Sequence, residues 1–288
     1  MKFASFTHGG RQGLGIVEGD GRLFGLTLGD EGFPGDLDDL VSRGGDALRQ
    51  AGKVLAKGRE FDLDEIVFSL PLARSRKCMC LGLNYVFHAA EANVDVPEFP
   101  PVFARFPSSL IAHGQDIIRP IDSDQLDYEA EMVAVVGKRG RRIDKADALS
   151  YIAGYSIFND ASIRDAQLRS SQWTLGKNYD GTGAFGPYFV TADALPAGGS
   201  GLRLTTKVNG EIMQDGNTAD LICDVATLVS TLSAAMTLEP GDLIITGTPS
   251  GVGMARKPPF FMKPGDVCEV ELEGVGILRN KIVDEAGR

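Results

Sequence analysis

A chain of 288 residues with 43% hydrophobic content is long enough to bury a large core. A formal net charge of -10 and a pI near 4.9 argue against nucleic acid or an anionic membrane as partner. No apolar run approaches the length of a membrane span, and Met1 to Thr7 lack the apolar stretch of a secretory leader, so the cytoplasm is the expected location.

The first seventy residues read as a unit of their own. Phe3 to Phe6, Leu14 to Glu18 and Arg22 to Leu28 are short strands joined at glycine turns, and one helix is expected from Leu37 to Lys57. No cluster of reactive groups occurs there. A small N-terminal α+β domain, residues 1–72, is therefore expected to precede a catalytic domain, residues 73–288.

Lys77 to Gly82 reads as a strand carrying Cys78 and Cys80. With Cys223 and Cys268 isolated, no zinc or redox spacing is present and all four thiols are expected to be buried and reduced. Asn84 then caps a short helix on which His88 and Glu91 are three apart, so the carboxylate can orient the imidazole as a base; an ordinary surface pair has the same spacing. Arg105 ends the next strand, where on the residues alone a partly exposed strand-end cation is the simpler reading.

The stretch Asp127 to Gly137 carries the strongest chemical signal. Tyr128, Ala130, Met132, Ala134 and Val136 fill one face of a strand, which puts Glu129 and Glu131 together on the other, where Val133 and Val135 continue. Two carboxylates this close need a shared proton or a hard cation, unless the face is wet. A second strand, Ile152 to Asp160, ends on an acid that can supply a third oxygen ligand. Ser162 to Asp165 looks like the start of a helix running to Ser171, and the loop that follows carries Lys177 among small and polar residues.

Beyond it, Asn209-Gly210 marks a hairpin between Leu202 to Val208 and Glu211 to Gln214, and Asp224 caps a helix with one apolar stripe. Gly247 to Gly253 is glycine-rich and holds Thr248, but it lacks the Gly-Lys-Ser/Thr of a nucleotide loop.

The Glu-x-Glu strand, the Asn159-Asp160-x-Ser162-x-Arg164-Asp165 segment, Gln172-Trp173-x-x-Gly176-Lys177 and Asn84-Tyr85-x-x-His88-x-x-Glu91 together resemble the fumarylacetoacetate hydrolase (FAH) family, from about Cys80 to the C-terminus. The resemblance implies an α+β fold of layered mixed β-sheets with few helices, and a homodimer. It implies Mg²⁺ or Mn²⁺ on Glu129, Glu131 and Asp160, with Ca²⁺ as a crystal substitute. It also implies catalysis by His88, Glu91 and Lys177, and substrate contacts from Tyr85, Arg105 and Thr248. The activity expected is hydrolytic cleavage of a carbon-carbon bond in an acylpyruvate or related 2,4-diketo acid. Decarboxylation of oxaloacetate-like acids, isomerisation or hydration of 2-hydroxy-dienoates, and metal binding without catalysis are the alternatives.

Overall fold

The computed structural model of the chain describes residues 1–19, 21–86 and 100–287. His88 and Glu91 lie outside the described residues. Among the described residues the larger sheet orders its strands Arg59–Phe61, Leu23–Thr27, Arg11–Val17, Lys2–His8, Tyr188–Thr191, Ile152–Asp160, Ala130–Val136, Leu243–Ile245, Cys78–Leu81 and Val102–Arg105. A smaller sheet runs Glu211–Asn217, Arg203–Val208, Val267–Leu272, Gly276–Asp284 and Ile117–Arg119. This is the expected α+β architecture of layered mixed sheets with short helices.

Ala130–Val136 is central because it is buried on both sides, every residue of it being inaccessible. Tyr128, Ala130, Met132, Ala134 and Val136 join the core formed with Leu204, Val270 and Ile282 of the smaller sheet and with the helix Val225–Ala235. Val133 and Val135 pack the opposite way, into a core shared with Phe3 and Leu14 and with Leu40 and Leu48 of two N-terminal helices. Full burial of Val or Met side chains contributes roughly 1.5–3 kcal/mol each. A frameshift of one residue would exchange the two faces, so the register is strongly specified.

Ala4, Phe6, Leu23, Phe61 and Ile66 form a small core within residues 1–72, which are joined to the rest of the chain by strand pairing and packing. Lys2–His8 pairs antiparallel with Tyr188–Thr191, and the second core spans both sides of residue 72. The single helix expected over 37–57 is two, Leu37–Arg43 and Gly45–Leu55. Gly44 sits at φ 88° between them, a conformation without strain only for glycine, and its N–H closes the first helix on Leu40 and Val41. The Asn209-Gly210 turn is as expected: φ is 51° and 84° at its two residues, as a type I′ turn requires. The helix expected from Ser162 is reduced to one turn, Arg164–Gln167, because Ser162 and Ile163 pair with Leu126 and Asp127 as strand.

Candidate active site

The carboxylates assemble through strand pairing. Ala130 opposes Asn159 in the antiparallel pair, Glu131 opposes Phe158, and the Asp160 N–H donates to the Glu129 carbonyl at 2.9 Å. Glu129 lies just before the strand and not within it, because the strand starts at Ala130, three residues later than the sequence expectation. All three acids are buried, and one carboxylate oxygen from each lies within 4.8 Å of the others. Oxygen-only donors this close and this dry suit a hard divalent cation, so the residues present fit the expected metal.

Electrostatics agree. Burial pushes the Glu131 carboxyl well above its ordinary range, and Asp160 and Glu129 push it further, while the Gly247 N–H donated to it works the other way. Gly247 has φ 97°, and a side chain there would meet Asn84 and the Leu81 carbonyl, so the backbone comes this near only as glycine.

Lys177, on the one-turn helix Thr174–Lys177, is also buried; its Nζ donates to Glu129 Oε2 and Asp160 Oδ2, both at 2.6 Å. Burial opposes its charge, yet Asp160 and Glu129 more than compensate, and the lysine is held above its ordinary value. It is a cation and a proton donor rather than a base.

Arg105 is where the structure corrects the sequence reading. It is buried behind Asp160 rather than facing a substrate: Nε donates to Asp160 Oδ1 at 2.6 Å, Nη1 to Thr182, and Nη2 to the Ala161 carbonyl. All three nitrogens are engaged within the protein, and the arginine holds the Asp160 carboxylate in place. Tyr85 is likewise buried and is not among the residues of the pocket wall.

A cavity of about 260 Å³ opens over the carboxylates. Its polar lining is Glu129, Glu131, Arg164, Gln167, Lys177 and Thr248, and its apolar wall includes Leu83, Phe103, Trp173 and Met254. Thr248, expected as a substrate contact, lines this cavity, and Arg164 and Gln167, which the sequence reading did not single out, line it too. Arg164 Nε donates to Asp127 at 2.8 Å; Nη1 meets Glu129 at 2.7 Å and Gln167 Oε1 at 2.9 Å. Among the described residues its buried Nη2 has no hydrogen-bond partner. Asp127, itself buried, fixes this arginine while accepting the N–H groups of Gly253 and Met254, and so ties the Thr248 loop to the same point. The signal for Arg164 was present in the sequence, four residues after Asp160, but it was read as part of a helix start.

The Fumarylacetoacetate (FAA) hydrolase C-terminal family matches residues 77–283. The chain belongs to the FAH family. Within it, oxaloacetate tautomerase Fahd2a, mitochondrial, of Rattus norvegicus is 39% identical over 273 residues, 94% of this chain and 87% of that protein. A solved fumarylacetoacetate hydrolase from psychrophilic Exiguobacterium antarcticum is 34% identical, with a TM-score of 0.87 covering 99% of this chain and 100% of that one. The 5-carboxymethyl-2-hydroxymuconate delta-isomerase of Mycobacterium smegmatis is 29% identical, with a TM-score of 0.78 covering 99% and 100%. These FAH-family enzymes therefore carry tautomerase, hydrolase and isomerase names. The rat relative's name places that protein in mitochondria, which differs from the cytoplasmic expectation for this chain; no helix among the described residues is long and apolar enough to cross a membrane.

Proposed function

We propose that the protein is a divalent-metal-dependent enzyme, homodimeric in keeping with its resemblance, that acts on oxaloacetate-like 2-oxo acids. Its reaction is proton transfer at the carbon next to the oxo group, or loss of carbon dioxide from that carbon, rather than hydrolysis. The observation that carries this reading is the buried Nη2 of Arg164, without a hydrogen-bond partner among the described residues, in the same pocket as three clustered acids. A guanidinium N–H left without an acceptor in a dry site is costly, and a carboxylate oxygen satisfies it. The charges point the same way. Asp127, Glu129, Glu131 and Asp160 face Arg105, Arg164 and Lys177, so a divalent cation turns a deficit of positive charge into a surplus that suits an anionic substrate. Similarity to a protein named oxaloacetate tautomerase supports the substrate class.

Glu129, Glu131 and Asp160 would hold the ion, which when bound supplies Lewis-acid polarisation of the 2-oxo group. Arg164 binds a carboxylate through Nη2 and orients the acid. Lys177 Nζ stays protonated beside the site and stabilises negative charge developing on a substrate oxygen. Thr248 offers a hydroxyl to the same pocket. Phe103 and Trp173 exclude water. Since Lys177 is held protonated, removal of the carbon-bound proton falls to another group, and His88 oriented by Glu91 remains our assignment for it.

The test is to follow the enol absorbance of oxaloacetate and pyruvate release separately, with Mg²⁺ and after chelation. Metal-dependent acceleration of enol conversion is expected, and Arg164→Met should raise KM roughly tenfold or more, the loss of a charge-assisted hydrogen bond. Inactivity on oxaloacetate combined with cleavage of acylpyruvates would favour the hydrolytic reading, which the name of the Exiguobacterium antarcticum neighbour keeps open.

A further inference from the structure

A threonine hydroxyl has one hydrogen to give. In the pocket, the direction of the Thr248 hydrogen is decided by a residue outside it. Gln214 lies on the strand Glu211–Asn217, 1% exposed, with both ends of its amide engaged. Its Oε1 accepts from the Ala130 N–H at 3.0 Å and from the Thr206 hydroxyl at 2.7 Å. Its Nε2 donates to Thr248 Oγ1 and to the Pro249 carbonyl, both at 2.8 Å.

Two of these four partners have fixed polarity. The Ala130 N–H only donates and the Pro249 carbonyl only accepts, so the amide has one orientation even though its oxygen and nitrogen are close in shape. Thr248 Oγ1 is therefore an acceptor toward Gln214, and its own hydrogen is left over. Among the described residues no protein acceptor takes it. Thr248 lines the pocket beside Glu129, Glu131 and Arg164, so the remaining direction is toward whatever occupies that space.

We infer that Gln214 is a positioning residue, which holds the Thr248 hydroxyl as a hydrogen-bond donor facing a substrate oxygen. Through the Ala130 N–H it also ties that donor to the strand bearing Glu131, so that donor and metal ligands keep one spacing. The inference rests on the reading of the pocket as a 2-oxo acid site and adds a polarity rule to it: the ligand atom against Thr248 is an acceptor oxygen, not a hydroxyl or an amine that must donate.

The experiment titrates Mn²⁺-loaded protein with oxalate, a small chelating dicarboxylate that binds without turnover. Thr248→Val is expected to weaken oxalate by roughly tenfold, the scale of one hydrogen bond to a charged group. Gln214→Glu should do the same, because a carboxylate at that place accepts the threonine hydrogen and turns it away. The double variant should bind no more weakly than either single one, while Thr248→Ser keeps the affinity. Mn²⁺ binding without oxalate should stay within about twofold of the parent in every variant. Where Gln214→Glu does not fold, Gln214→Met replaces it, since it also lacks the N–H. Independent, multiplying losses, intact oxalate binding in either single variant, or a parallel fall in Mn²⁺ affinity would each overturn the inference. Absence of oxaloacetate turnover with the oxalate pattern preserved would instead overturn the functional reading and leave Gln214 in its role.

Discussion

Glu131 is the residue at which stability and function oppose each other. Its carboxyl shares a dry site with Glu129 and Asp160, and burial first, then those two neighbours, raise it well above its ordinary value of 4.5. A raised acid binds protons more readily folded than unfolded. Its contribution to stability is therefore complete below about pH 4.5 and is lost as pH rises through the folded value. Glu131→Gln removes that penalty while its side-chain oxygen can still accept the Gly247 N–H. The metal-free variant is expected to melt a few degrees higher than the parent at neutral pH, about 1 kcal/mol being worth roughly 2–4 °C in a large domain. It should also lose the rise in melting temperature that Mg²⁺ or Mn²⁺ gives the parent. Scanning calorimetry with and without metal reads both effects, and an unchanged metal response would remove Glu131 from the ligand set.

At the scale of elements, the helix Val225–Ala235 closes the larger core and depends on its first turn. The Asp224 carboxylate accepts from the Thr227 N–H at 2.7 Å and the Thr227 hydroxyl at 2.6 Å. Asp224→Ala should destabilise by about 1 kcal/mol, and Asp224→Asn by much less, as measured by denaturant midpoints. This cap was legible in the sequence, as were the Asn209-Gly210 turn and the two-faced strand through Val136, because each depends on residues a few positions apart. The site was legible to the same extent. Glu129, Glu131, Asp160 and Lys177 stand in short motifs, and the structure brings them together. Arg105 was misread because a strand-end cation looks identical whether it faces solvent, substrate or a buried acid; only the packing of Thr182 and Ala161 around it decides. The links Asp127 to Arg164 and Gln214 to Thr248 cross 37 and 34 positions, and no local pattern signals such pairings.

The molecule as a whole is held as one body by contacts that span the chain. The turn around His113 meets two distant parts of it. The ring packs edge-on to Phe68 at 4.8 Å, and Nδ1 accepts the N–H of Arg279 on the strand Gly276–Asp284 at 3.1 Å. Burial, then the charge of Arg279, push this histidine down to about 4, so it is neutral where the hydrogen bond requires an acceptor. A depressed histidine gives stability that is present above its ordinary 6.5 and is lost as pH falls through the folded value near 4. Unfolding midpoints should decline between these limits by less than about 1.4 kcal/mol per pH unit, the ring being partly exposed. His113→Gln, with an amide oxygen to accept the same N–H, should flatten that slope.

The apolar wall of the pocket has a practical consequence. Trp173 is the only tryptophan in the sequence, and its ring packs on Phe103 with centroids 5.6 Å apart and lies hard against Gly82. Indole emission responds to the polarity around the ring and to quenching groups close by. All of this protein's tryptophan fluorescence therefore comes from one side chain on the wall of the reaction chamber. Ligand entry can be followed by the colour and intensity of that light, with no label attached.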